Sequence, residues 1–535
     1  MSVAVESRAW SYAFVLIWLT GLGVALATFL DYGVTWDEDI FRLYGDAILR
    51  WFATLGRDRE ALSLFNLYVY GGLFEVFAQP VGRAFPAGVF EGRHLVNALV
   101  GLIGVAGTYQ LGVVTSGPRV GCLAGAALLV NPVYYGHSFN NPKDIPFAAM
   151  CAWALAAIVA GSDGRFLRSW RAVFATGLAV GLALAVRPGG VFLIGFVALL
   201  WTITVIRLGV ERPRGAAALQ RDIVRLATSI AAVAITAWIV MIAPWPYGQS
   251  KPLVHPIEAI TRAARFREFE VPVLFGGRSV QSGDLPWTYI PGYFAVSLPD
   301  FYLLGFAAGI LALPWVIRRV RDRQEAWSGT AVKIAFLLFA VIFPVAVAVA
   351  MESTLYDGLR HVLFLMPPLA VLAALGFVAA IDALPRRAWK AAVAGAALGF
   401  ALWVVVDMIR LHPYQSVYYN RLIAGGVRGA EGRFEADYWG SSYLEATNWV
   451  LANYRPETSE PIRVANCSDN FMTAYYLRRQ SDNGPRFESG DARSAHVVLA
   501  TTRGDCHRRN WGRLLHVVER QGVGLAYVFE VATPR

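Results

Sequence analysis

The sequence predicts an all-α polytopic membrane domain of about eleven transmembrane helices, followed by a small soluble α/β domain. Only 16% of the 535 residues are charged while 56% are hydrophobic, against roughly 25% charged in soluble chains. The apolar residues cluster in runs of about 17 to 22, the length an α-helix needs to cross about 30 Å of hydrocarbon. From Pro461 onward short β-like runs replace them. A soluble enzyme is thereby excluded. The net charge of +10 would suit nucleic acid, but most Arg sits in short connectors, where it sets topology instead of forming a binding stripe. Nucleic acid is excluded as a partner.

The first run covers 10–30. Ala25-Leu26-Ala27 could pass for a signal-peptidase site, but the run is long for a signal peptide and is read as an uncleaved anchor. Further runs fall at 94–114, 120–135, 145–160, 173–186, 191–206, 226–244, 301–317, 334–351, 362–381 and 391–409. The positive-inside rule tests this count, because a missed span would put basic loops on both sides. With the N-terminus inside, one side collects Arg119; Arg165, Arg168 and Arg171; Arg207, Arg212, Arg214, Arg221 and Arg225; Arg318, Arg319, Arg321, Arg323 and Lys333; and Arg386, Arg387 and Lys390. The other side holds a long first loop, 31–93, short turns around Lys143 and Arg187, a loop at 247–300 and everything after Leu411. The expected division is a membrane domain, 1–411, and an exported domain, 412–535.

Within the exported domain a helix is expected near 444–453, then strands at 462–465, 497–501, 515–518 and 525–531. Cys122 and Cys151 lie in apolar runs and read as small buried hydrophobes. Cys467 and Cys506 are the exported pair; an oxidising compartment favours a disulfide between them, two free thiols being the alternative. His507 next to Cys506 has no paired ligand spacing to support zinc.

The sharpest local feature is the acidic stretch Asp31 to Asp39, immediately after the first run. Its plain reading is a helix start, with Thr35 as cap and acids in the first turn. Phe41, Tyr44, Ile48, Trp51 and Phe52 then repeat at helical spacing, which makes an amphipathic helix along the membrane interface. Carboxylates would thereby be held at lipid headgroup depth.

This order of features resembles the GT-C glycosyltransferases, and within them the branch of protein O-mannosyltransferases and aminoarabinose lipid A transferases. Trp36-Asp37-Glu38 is similar to the acidic motif of that family's first loop. Arg93 to Gly101 looks like the stretch opening its second span, and Arg360-His361 running into Leu363 to Pro368 resembles its Arg-aromatic-leucine-proline segment, with His361 in the aromatic's place. The likeness covers roughly residues 10 to 410. It implies a GT-C-like fold with juxtamembrane helices in the first exported loop. It also implies a donor sugar on polyprenyl phosphate and an acceptor hydroxyl on a protein, lipid or glycan. Asp37 is then the candidate general base, with inversion at the anomeric carbon. Asp144 is the candidate second acid, and Glu38 and Asp144 would orient the acceptor or hold a divalent metal, on which the superfamily differs. Arg360, His361, Arg187 and Lys143 are the candidate phosphate ligands; for Arg187 a structural salt bridge is the alternative. The richness in Ala, Arg and Gly suggests a bacterial inner membrane with the C-terminal domain in the periplasm.

After the last run, Asp437, Tyr438 and Trp439 are candidate substrate or acceptor contacts together with Trp36; an interfacial aromatic belt is the alternative. Two other functional classes fit the architecture: a transporter or flippase of a lipid-linked sugar, and a lipid-linked glycan ligase or polymerase. Matched interrupted helices and mid-span charges, the marks of transporters, are not evident.

Overall fold

A computed structural model describes residues 3–211, 215–264, 270–322, 329–456, 460–478 and 486–531; Arg212, Arg214 and Arg323 lie outside them. The chain is a polytopic helical bundle carrying a small α/β domain at its C-terminal end. All eleven apolar runs form helices, and nine helices among the described residues are long and apolar enough to cross a membrane. The other two, Pro118–Leu129 and Trp170–Leu184, are shorter. At 1.5 Å per residue they cover only about 18 and 22 Å. The run expected over 120–135 is divided because Asn131 accepts a hydrogen bond from the Tyr134 N–H at 3.1 Å and Pro132 follows it. This cap-and-proline pair starts a new helix, Pro132–Asn140.

Val89–Ser116 is the centre of the bundle and packs on Asp144–Gly161, Pro118–Leu129 and Met366–Ala383. The backbones approach closely where side chains vanish. A Cβ on Gly376 would lie 2.0 Å from the carbonyl oxygen of Gly305, so the helices Asp300–Asp322 and Met366–Ala383 meet glycine to glycine. Small residues serve this purpose in membranes, where packing, not water exclusion, drives helix association.

The connectors separate into two ends. At one end Lys333 Nζ lies 2.8 Å from Asp163, Arg207 donates to the Ser162 carbonyl at 3.0 Å, and Arg119 pairs with Asp382 at 2.9 Å. At the other end the 31–93 loop, the turns at Lys143 and Arg187 and the 351–360 segment come together. The alternation expected from the Arg count matches this division.

The first loop folds as Trp36–Ala53, whose Phe41, Tyr44 and Ile48 are buried while Phe52 is exposed, and Leu73–Ala84. Arg93 on the central helix anchors the second of these through a buried bidentate pair with Glu75, at 2.7 and 3.1 Å, and a bond to Gln79. A hairpin absent from the expectations, β1 (Pro272–Phe275) and β2 (Arg278–Gln281), lies in the 247–300 loop.

The C-terminal sheet contains β3 (Ile462–Asn466), β4 (Phe487–Ser489), β5 (Val497–Thr501), β6 (Arg513–Arg520) and β7 (Val523–Glu530). Their spatial order is β4-β3-β5-β7-β6, with β3 parallel to both neighbours and β7 antiparallel to both of its own. The four expected strands are present, β4 is additional, and the expected helix is Tyr443–Asn453. Asn470–Leu477 docks this domain on the bundle: Tyr475 donates to Glu91 at 2.6 Å, and the Tyr476 hydroxyl accepts from the Val34 N–H at 2.5 Å. Cys467, just past β3, and Cys506 are bridged by a disulfide, and Cys122 and Cys151 are free and buried.

The bridge predicts two free thiols, not four, in a denaturing, non-reducing titration. Cys467→Ser should destabilise the C-terminal domain by about 2–4 kcal/mol, seen as a lower Tm.

Candidate functional site

Helix starts build the site. Asp37 is the second residue of Trp36–Ala53, directly after the first membrane helix. Asp144 opens its helix, held by Asn141, whose Oδ1 accepts from the Asp144 N–H at 2.9 Å and whose Nδ2 donates to Asp144 Oδ2 at 3.0 Å. Arg360 opens a 3-10 turn, Arg360–Leu365, that runs into Met366–Ala383, where Pro367 and Pro368 occupy the first helical turn. Arg187 precedes Pro188 in the tight turn after Trp170–Leu184.

These residues meet. Arg360 Nη1 is 2.7 Å from Asp37 Oδ2, and its Nε is 3.1 Å from Asp357 Oδ2. Asp357 also accepts from Arg503 of the C-terminal domain at 2.5 Å. Arg187 pairs with Asp144. Lys143 Nζ stands 5.2 Å above both the Phe41 and Tyr70 rings, and Arg187 lies 5.9 Å above Tyr70. Arg360 and Asp144 are buried to 1% and 2% exposure, whereas the Asp37 side chain keeps 20%. Burial by itself would raise the Asp37 carboxyl, but Arg360 and then Lys143 outweigh it and hold it below its ordinary value. Asp37 is therefore a carboxylate at neutral pH.

The aromatic candidates close one flank. Arg503 lies 4.1 Å above the Trp36 ring, Arg360 lies 4.9 Å above Trp439, and the Tyr438 hydroxyl is 2.8 Å from His137 Nε2. His361 packs edge-on against Tyr356 at 4.7 Å.

Two of the acidic candidates stand apart. Glu38 is buried at 2% exposure; its Oε2 accepts from the Thr35 N–H at 2.8 Å and its Oε1 meets His94 at 2.8 Å. It locks the start of its helix to the central helix, with no oxygen left toward Asp37. Asp437 accepts from the backbone N–H groups of residues 439 to 442 and from the Ser441 and Ser442 hydroxyls. It shapes a turn and has nothing to offer a substrate. Neither carboxylate is retained as a substrate contact. Among the described residues no group of three or more His, Cys, Asp or Glu is placed to hold a metal ion. Asp37 and Asp144 are each engaged by a guanidinium.

Asp357, Arg503, Tyr356 and Tyr70 join the site without having been expected. Asp357 could have been found, since it stands three residues before Arg360. Arg503 could not, because its partner is 146 residues away.

Comparison with known proteins bears on the central helices. Residues 89–245 match the model of the dolichyl-phosphate-mannose-protein mannosyltransferase family. Over that stretch the match bears out the resemblance drawn from the motifs. It includes Lys143, Asp144 and Arg187; Asp37 and Arg360 lie outside it. No curated protein sequence matches. Among solved structures, ArnT from Cupriavidus metallidurans in the apo state is 14% identical over 98% of each chain, with a TM-score of 0.48. The same protein bound to undecaprenyl phosphate gives 14%, 98% of each chain and 0.45. The archaeal oligosaccharyltransferase AglB from Archaeoglobus fulgidus, in complex with an inhibitory peptide and a dolichol-phosphate, is 11% identical over 93% of this chain and 70% of that chain, with a TM-score of 0.49.

The structural reading of Glu38 predicts that Glu38→Ala destabilises the protein by about 1–3 kcal/mol, through the lost cap and the unpaired His94. A Tm that does not fall would show the carboxylate to be dispensable for folding.

Proposed function

We propose that the chain is a membrane glycosyltransferase that moves a sugar from a polyprenyl-phosphate donor to an acceptor hydroxyl. One observation carries this reading. Lys143, 9% exposed, has no ion pair among the described residues, although it sits in a cluster containing Asp37, Asp144, Arg187 and Arg360. Its ammonium acts on the Asp37 and Asp144 carboxylates only from beyond contact distance, and an arriving phosphate would give this buried charge a direct partner. The cluster sits at helix ends, where a lipid headgroup lies, and not halfway along the spans as a transport site would. That position favours the enzyme over the transporter. We assign this end of the bundle to the periplasmic face of a bacterial inner membrane, from the distribution of Arg in the connectors.

In the proposed step the acceptor oxygen forms a bond to the anomeric carbon, and its proton passes to the Asp37 carboxylate. The bond from that carbon to the phosphate oxygen breaks from the opposite face, so configuration inverts. The electron pair leaves with polyprenyl phosphate. Lys143, Arg187 and Arg360 receive the growing negative charge, with His361 beside them. Asp144 orients Arg187 toward the phosphate, and Asp357 does the same for Arg360. Trp36, Tyr438 and Trp439 border the sugar. The family description of residues 89–245 names a mannose donor on a dolichyl phosphate, which supports the polyprenyl class of donor.

Asp37→Asn should leave polyprenyl phosphate binding intact and lower transfer by about 100-fold or more. Most activity surviving in the purified variant would overturn the assignment of the base. Lys143→Met should weaken polyprenyl phosphate binding about tenfold with the Tm unchanged or raised, since no ion pair is broken. Unaltered lipid affinity would remove Lys143 from the phosphate site.

A further inference from the structure

We infer that two segments of the exported loops, 252–257 and 421–424, insert apolar side chains into the outer leaflet and anchor the loops there, with lipid acyl chains as the partner. Each segment folds back along a membrane helix, Ala216–Ile242 for the first and Arg387–Leu411 for the second. Trp238 Nε1 donates to the Pro252 carbonyl at 3.0 Å, and Trp238 stands four residues, about 6 Å, before its helix ends. Arg421 pairs with Asp407 through two bonds, at 3.0 and 2.6 Å, and its guanidinium lies 5.2 Å from the centre of the Trp403 ring. Asp407 and Trp403 stand four and eight residues before their helix ends, about 6 and 12 Å along the axis. Side chains on a helix lean toward its N-terminus, here the opposite membrane face, so these contacts draw both segments inward.

The side chains at these places suit lipid. Leu253, Ile257, Leu422 and Ile423 are each more than half exposed. In water such groups would be costly. They continue the lipid-facing surfaces of the two spans, on which Ile235 and Ile239, and Leu402 and Val406, are also exposed.

The backbone is prepared for the same surroundings. Chain outside a helix can border lipid only when its N–H groups have partners within the protein. The N–H groups of Arg421 and Leu422 donate to the Asp300 carboxylate at 3.3 and 3.0 Å, and those of Ile423 and Ala424 donate to Asn420 Oδ1 at 3.0 and 3.2 Å. All four donors of the apolar turn are taken. Asn420 gives its own Nδ2 to the carbonyls of Ala295 and Leu298, at 2.6 and 2.9 Å, which fixes the turn to the bundle. In the other segment Pro252 has no N–H, and those of Val254 and His255 close on the Lys251 carbonyl at 3.1 and 3.0 Å. Water would satisfy such donors unaided; lipid cannot.

The anchors bear on the geometry of the site. Segment 421–424 opens the stretch that leads to Tyr438 and Trp439, and 252–257 leads into the helix His255–Ala264, which packs on the Pro188–Val191 turn next to Arg187. Held at headgroup depth, the two segments set the height of both over the leaflet.

The test places nitroxide labels at Leu253→Cys and Leu422→Cys in the full chain, in nanodiscs of phosphatidylethanolamine and phosphatidylglycerol. Power-saturation EPR then reads their accessibility to oxygen and to nickel-EDDA. Leu402→Cys on the last span and Asn453→Cys on the C-terminal domain serve as the hydrocarbon and aqueous references. All four side chains are exposed, so the substitutions remove no packing. Cys122 and Cys151 are buried and the other two cysteines are bridged, so the unsubstituted chain supplies the background. Both labels should favour oxygen over nickel-EDDA, as Leu402→Cys does, at about 5–10 Å into the headgroup and acyl boundary. Nickel-EDDA accessibility equal to that of Asn453→Cys at either position would overturn the inference. A label shielded from both reagents would overturn it as well, and would point to a protein partner.

Discussion

The buried guanidinium of Arg360 is the interaction on which the rest of the site depends. It lies between Asp37, from the first exported loop, and Asp357, from its own segment, and Asp357 is shared with Arg503 of the C-terminal domain. Four groups of alternating charge thus tie together three regions far apart in the chain. Charges taken out of water are expensive, and removing one partner from such a buried set commonly costs about 3–5 kcal/mol. The arrangement is therefore poor as a source of stability and good as a positioning device. It presents Asp37 as a carboxylate, half-buried, with one oxygen held by Arg360.

The docking of the C-terminal domain follows from the same logic. Tyr476 reaches the backbone of Val34, two residues before Trp36, while Arg503 covers the Trp36 ring and completes Asp357. The domain holds the acidic loop from above as Arg360 holds it from the side. The Cys467–Cys506 bridge ties the end of β3 to the turn that carries Arg503, so a covalent link restrains the part of the domain that touches the site.

Much of this was legible in order along the chain. Apolar runs became helices because length and hydrophobicity decide membrane insertion locally, although Asn131-Pro132 shortened one run by restarting the helix. Asp37, Asp144 and Arg360 could be nominated through the motifs that carry the family resemblance, and Lys143 and Arg187 because each places a cation in a short turn between apolar runs. The structural duty of Glu38 was also written locally. Thr35 and Glu38 stand three residues apart before an amphipathic helix, the spacing of a capping box. Asp437, followed within five residues by Gly440, Ser441 and Ser442, had the composition of a turn that consumes its carboxylate.

By itself, then, the sequence determined which segments are helical and apolar and which connectors share an end, because these follow from residue type and short-range spacing. Only the tertiary structure decided which charges are partners. It set Arg503 on Asp357, left Lys143 without an ion pair among the described residues, and withdrew Glu38 to His94. The physical reason is distance along the chain: an ion pair or a shared cavity depends on which surfaces pack together, and residues 146 apart carry no local mark of that.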